Sequence, residues 1–294
     1  MAFDFYFAGT QCEEANDVMV KLNANVLKSY VNDKKEILKW FEHKKNGWTG
    51  KLLIDNGAFT FHRNGESLDI DEYIAWLNNN DEYIDYAIAL DSIPGRWGQV
   101  RTSEDFRISA IKTYENYIYM IGRVKSPEKI LPVFHMGEDF IHLQRYLELK
   151  DLKYMCLSAF KDTVNKYRED WYEQCFNLIR ECGRQDMKFH CLGSATIQNV
   201  EKFPFYSTDA TSWIMSGANG SILTDKGAIY VGHKTILSDL DKQTIEPIVA
   251  KYGLTLDDVI NDYKARMVCN VNYLYEKSRK TNFVGLSTVR RRLF

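Results

Sequence analysis

Residues 52–59 read LLIDNGAF. Three consecutive apolar residues, Leu52, Leu53 and Ile54, run into an acid at Asp55, a small-residue turn and then Phe59. An apolar run without alternation suits a parallel strand covered on both faces. Seven more runs share the format: residues 4–8 (DFYFA), 86–93 (YAIALDSI), 130–136 (ILPVFHM), 154–160 (YMCLSAF), 188–193 (KFHCLG), 205–208 (FYST) and 228–231 (AIYV). Between them lie stretches of helical period. Residues 13–30 place Val18, Met19, Leu22, Val26 and Tyr30 at helical spacing, and residues 70–77, 103–121, 139–149 and 163–182 read likewise. Ser103 and Asp139 stand where helix starts are expected. Strand–helix alternation repeated about eight times predicts an α/β fold, a closed (β/α)₈ barrel, with an open doubly wound sheet as the alternative.

The flanks agree with one barrel domain over residues 1–294. No Pro- or Ser-rich linker divides the chain, and residues 244–294 read as two closing helices (254–263 and 265–277) followed by a basic tail. With 294 residues, 45% hydrophobic and 14% aromatic, the chain can bury one large core. Five Pro and 17 Gly argue against a fibrous or disordered protein. The formal charge of −2 neither favours nucleic acid nor excludes a local basic face. No apolar run approaches the roughly 20 residues that span a bilayer, and the start has no basic leader, so a cytoplasmic protein without a membrane partner is expected. Six scattered cysteines (Cys12, Cys156, Cys175, Cys182, Cys191, Cys269) form no CxxC pair, which points to structural thiols rather than disulfides or metal ligands.

A barrel carries its chemistry at the C-terminal ends of its strands. Those ends supply Asp55, Asp91, His135, Ser158, Leu192, Gly193 and Asp209. An acid within an apolar run must be hydrogen-bonded, paired or functional, because burying it alone is costly. Each aspartate could instead cap the helix that follows. In Asp55-Asn56-Gly57-Ala58-Phe59 the small residues let backbone approach a flat ring that Phe59 could stack on; the plainer reading is a βα turn with Phe59 packed under the rim. His135 could likewise be a packed core histidine.

Taken in order, these segments resemble the tRNA-guanine transglycosylases. IDNGAF is similar to their DSGGF motif, ALDSIPG to the strand-end aspartate that reads the guanine edge, and HCLGSATIQNVEKFPFYSTDATSW to their Gly-rich turn and following nucleophile. PVFHMGED stands where that family has a polar residue against the base, with His135 in place of the usual glutamine. The likeness runs from about residue 52 to about residue 213. The family's CxCxxC…H zinc site has no counterpart, since only Cys269 follows Asp209. In this, and in its length, the chain looks like the compact phage-type relatives that place 7-deazaguanine bases in DNA. The resemblance implies a pentosyltransferase that exchanges guanine in DNA for a 7-deazaguanine base, without a cofactor. Asp209 would attack C1′, Asp55 would be the acid/base, Asp91 would read the base edge, Phe59 and Leu192 would sandwich the ring, and His135, Ser158 and Gly193 would contact its edge. Lys277, Arg279, Lys280, Arg290, Arg291 and Arg292 would meet the nucleic-acid backbone, or form a solvated tail.

The alternatives are the same exchange on tRNA, a non-catalytic nucleic-acid-binding subunit, and an unrelated barrel glycosidase. The last would place Trp platforms near the carboxylates, and Trp97 and Trp213 are the candidates. The scattered cysteines also predict that purified, chelator-washed protein carries no structural zinc; elemental analysis showing one zinc per chain would refute that.

Overall fold

The computed structural model describes residues 3–9, 12–160, 163–193, 201–232 and 235–281. Nine strand segments form a single parallel sheet: β1 (Asp4–Ala8), β2 (Asn25–Ser29), β3 (Leu52–Asp55), β4 (Tyr86–Ile88), β5 (Ile130–Leu131), β6 (Val133–His135), β7 (Tyr154–Ser158), β8 (Lys188–Leu192) and β9 (Ser207–Ala210). The order across the sheet is β5-β4-β3-β2-β1-β9-β8-β7-β6, so its two edges are β5 and β6. Those edges are consecutive in the chain, separated only by Pro132. Ile130–Leu131 pairs with β4 and Val133–His135 pairs with β7, so one interrupted strand closes the ring. Eight staves in sequence order make the expected (β/α)₈ barrel.

The helices run along the outside: α1 (Glu13–Lys21), α2 (Lys34–Lys45), α3 (Ala58–Asn64), α4 (Ile70–Asn79), α5 (Ser103–Ile121), α6 (Phe140–Leu147), α7 (Asn165–Glu181) and α8 (Ser212–Ala218). Strand alternation sorts the apolar residues into two cores. Tyr6, Ala8, Leu27, Leu53, Ile88, Val133, Tyr154 and Cys156 fill the barrel interior. Their neighbours Phe5, Phe7, Val26, Leu52, Ile54, Phe134, Met155 and Leu157 face the helices. The same alternation turns Asp55, His135, Ser158 and Asp209 inward at the top of their strands.

Two expectations are corrected. Residues 13–30 are not one helix: α1 ends at Lys21, Asn23 adopts a left-handed φ of 49°, and the chain enters β2. The apparent helical spacing of Val26 and Tyr30 with Leu22 is a coincidence across that turn, and Asn23 is the signal that breaks it. Residues 228–231 are not a stave. Residues 228–230 belong to β11 (Gly227–Tyr230), which pairs antiparallel with β10 (Ser221–Thr224) in a hairpin apart from the barrel sheet.

The C-terminal segment adds α9 (Asp239–Lys251), α10 (Leu256–Asn261) and α11 (Tyr263–Lys280), with a small core of Ile222, Val231, Ile245, Val249, Val259 and Cys269. Arg266 fastens it. Its guanidinium is buried and donates to the carbonyls of Gly217 (2.7 Å), Val259 (2.7 Å) and Ile260 (3.2 Å), at the ends of α8 and α10. The negative ends of two helix dipoles take the place of a carboxylate partner. Arg266→Met should lower stability by about 3 kcal/mol, because it strands buried carbonyls. Urea denaturation measures this, and a change below about 0.5 kcal/mol would count against the fastening role.

Candidate active site

The barrel mouth holds a cavity of about 650 Å³. Asp55, Asp91, His135, Ser158, Leu192, Gly193 and Asp209, the candidates read from the strand ends, all line it, as does Phe59 from the turn that follows Asp55. Asn56, Trp97, Arg101 and Phe160 join them.

Asp55 ends β3, where alternation aims it inward. Gly57 then turns the chain with φ +81°, and a Cβ there would stand 2.5 Å from Val31 Cγ2, so only glycine fits. Burial raises the Asp55 pKa to about 7, helped by the charges of Asp91 and Asp209, while the Gly57 amide pulls it the other way. Asp55 therefore holds its proton up to near neutrality.

Asp91 is immobilised. Its Oδ1 accepts from Asn56 Nδ2 at 2.9 Å and its Oδ2 meets His135 Nε2 at 2.8 Å. Asn56 also donates to the Ala89 carbonyl at 2.7 Å and accepts from the Ala58 amide at 2.7 Å, so its orientation is fixed. The other side of His135, Nδ1, meets Glu138 Oε1 at 2.9 Å. Burial alone would favour neutral imidazole, but hydrogen bonds and charge from Asp91 and Glu138 outweigh it and lift the pKa to about 10. A protonated imidazole donates from both nitrogens, so His135 is an imidazolium clamped between two carboxylates.

Asp209 sits on β9 with Oδ1 accepting from the Gly193 amide at 2.8 Å and facing His190 Nε2 at 3.3 Å. Among the described residues Oδ2 has no hydrogen-bond partner. Behind Asp209 a buried chain continues: His190 Nδ1 meets Ser207 Oγ at 2.6 Å, and Ser207 Oγ meets the Tyr154 hydroxyl. With Ser207 donating to Nδ1, His190 presents an N–H to Asp209.

The rim is aromatic. Phe59 and Trp97 make an edge-to-face pair 5.2 Å apart, each about half exposed. Trp213 is no platform, being fully buried with its indole N–H donating to the Ala8 carbonyl at 2.9 Å. Sequence reasoning misses Glu138, His190, Arg101 and Phe160. His190 is within its reach, since it lies two residues before Leu192 on β8 and shares its inward face.

Of the basic candidates, Lys277, Arg279 and Lys280 do not line the cavity. Lys277 pairs with Asp225 at 2.6 Å, and Lys277, Arg279 and Lys280 stand in the last turn of α11, where cations complement the helix dipole. Arg290, Arg291 and Arg292 lie outside the described residues, as does the part of the Gly-rich turn at residues 194–200. The described residues contain no cluster of three or more His, Cys, Asp or Glu side chains able to hold a metal, and no helix among them is long and apolar enough to cross a membrane.

The mouth defines a (β/α)₈ barrel with converging carboxylates. No family model matches the chain, and no curated protein matches it. Among solved structures it is similar to a variant of the actinorhodin polyketide ketoreductase with NADPH, at 12% identity and a TM-score of 0.25, covering 94% of this chain and 92% of that one. The transglycosylase expectation is corrected: no family model and no curated relative supports a pentosyltransferase, guanine exchange, a 7-deazaguanine base, or a DNA or tRNA partner. The resemblance rests on short strand-end motifs, an acid and a glycine beside apolar runs, which the demands of an acidic barrel mouth produce by themselves. A likeness as slight as that to the ketoreductase carries no activity to this chain either.

The raised Asp55 pKa has a consequence for stability. A carboxyl that titrates near 7 when folded, against an ordinary 3.8, favours the folded state at low pH and loses that contribution as pH rises from 3.8 through 7. Asp55→Asn removes this titration, so its stability relative to the parent should climb between pH 4 and 7. Urea midpoints that stay parallel over that range would contradict the assignment.

Proposed function

We propose that this barrel mouth is a glycosidase site that cleaves an acetal C–O bond with two aspartates. The observation that carries the reading is the contrast between Asp55, which keeps a proton to about pH 7, and Asp209, whose Oδ1 is held by an N–H donor while Oδ2 has no hydrogen-bond partner among the described residues. Glycoside cleavage calls for that division: one carboxyl protonates the departing oxygen and another meets the carbon that develops positive charge.

In this scheme Asp55 gives its proton to the leaving oxygen as the C–O bond breaks, and Asp209 Oδ2 bonds to the anomeric carbon. Water then attacks that carbon, Asp55 takes the water's proton, and Asp209 is released unchanged. The Gly193 amide and His190 steady Asp209 through Oδ1. Asp91, fixed by Asn56 and His135, is an acceptor for sugar hydroxyls. The Phe59–Trp97 pair offers an apolar wall for the C–H face of a sugar ring, as a platform residue should.

A panel of 4-nitrophenyl glycosides and their alkyl counterparts tests the proposal. Asp209→Asn should abolish turnover of both. Asp55→Asn should lose roughly 10²–10⁴-fold on alkyl glycosides, and much less on nitrophenyl ones, whose leaving group departs without a proton. For the parent, kcat/KM on alkyl glycosides should fall as pH rises through about 7, as Asp55 loses its proton. No turnover of any member of the panel by the parent, or full activity in Asp209→Asn, would defeat the reading.

A further inference from the structure

Among the described residues, Arg101 is the cavity's uncommitted cation. It lines the mouth with its guanidinium 4.2 Å from the ring centre of Phe160, and it makes no ion pair or side-chain hydrogen bond with those residues. The other cation of the cavity, His135, is consumed between Asp91 and Glu138. Asp105, four residues beyond Arg101, directs Oδ2 to the Thr102 amide at 2.8 Å and hydroxyl at 2.7 Å, completing the cap of α5. Arg101 thus rests on an aromatic face, a contact that uses none of its N–H donors.

The placement is informative. The connection from β4 to α5 carries Asp91, Ile93, Trp97 and Arg101 to the same cavity, so a fixed acceptor, an apolar platform and a cation share one loop. A ring seated in the cavity against Trp97 and Asp91 would share it with Arg101. We infer that the ligand of this cavity is a sugar bearing an oxyanion, a carboxylate or a phosphate, which Arg101 binds through its planar fork. This inference rests on the glycosidase reading for the sugar, but the anion site can be tested without any turnover.

The experiment is calorimetric titration of the full chain with glucuronate, glucose 6-phosphate and glucose, repeated with Arg101→Gln and Arg101→Lys. The parent should bind at least one of the two acidic sugars about 10-fold or more tightly than glucose. Arg101→Gln should erase that preference, and Arg101→Lys should keep only part of it, because an ammonium retains the charge without the fork. The two acidic sugars separate a carboxylate site from a phosphate site. Equal binding of all three by the parent, or a preference that survives Arg101→Gln, overturns the inference. An Arg101-dependent preference without hydrolysis would uphold it while the glycosidase reading fails; hydrolysis of neutral glycosides without the preference would do the opposite.

Discussion

A closed sheet has no spare edge, and here closure falls on the strand least equipped for it. Pro132 has no N–H to give, so the segment around it cannot run as one continuous ladder. The two halves of the strand therefore bond on opposite sides. Ile130–Leu131 serves β4, Val133–His135 serves β7, and the Pro132 carbonyl still accepts from the Cys156 amide at 2.8 Å. The inward orientation of every mouth residue depends on this ring being complete. His135 is the last residue of the closing strand, so the joint that seals the barrel also delivers the imidazolium to the site.

The electrostatics of the mouth follow from concentrating acids where water is scarce. Asp55, Asp91 and Asp209 cannot all be charged there at no cost. Asp91 is paired with His135 and Asp209 is held by the Gly193 amide, while Asp55, fully buried and further opposed by the charges of Asp91 and Asp209, keeps its proton. The contrast between two chemically identical side chains thus comes from what surrounds them.

Much of this is legible in the sequence, and what is not has physical causes. The run DFYFA marks β1 to the residue, and the strand ends name seven cavity residues, because an acid or glycine closing an apolar run is a pattern that barrel geometry imposes. β2 escapes notice since Val26 and Tyr30 happen to continue a helical period set by α1, and local spacing cannot see the parallel partners that make residues 25–29 a strand. The AIYV run passes for a stave because a short apolar hairpin and a stave look alike until pairing is known. Arg101 and Phe160 are invisible for another reason: their meeting depends on how two separate loops fold over the mouth. The family likeness goes astray where motif order stands in for such three-dimensional facts.

The pairing of β1 with β9 sets a timetable for synthesis. Phe5 lies opposite Thr208 and Tyr6 opposite Asp209, so the first stave of the barrel to be made waits for the last one before both its flanks are covered. Until then the nascent chain is an open curl with bare hydrogen-bonding groups along β1, and a ring-closing contact of such sequence separation forms slowly. The wait extends to the C-terminal helix, because Lys264 of α11 reaches Glu14 and Tyr275 bonds the Leu22 carbonyl, stitching the tail of the chain to its first helix. A ribosome-bound fragment ending after β8 would therefore expose the edge of β1 to chaperones and to neighbouring chains, and the finished barrel hides that edge completely.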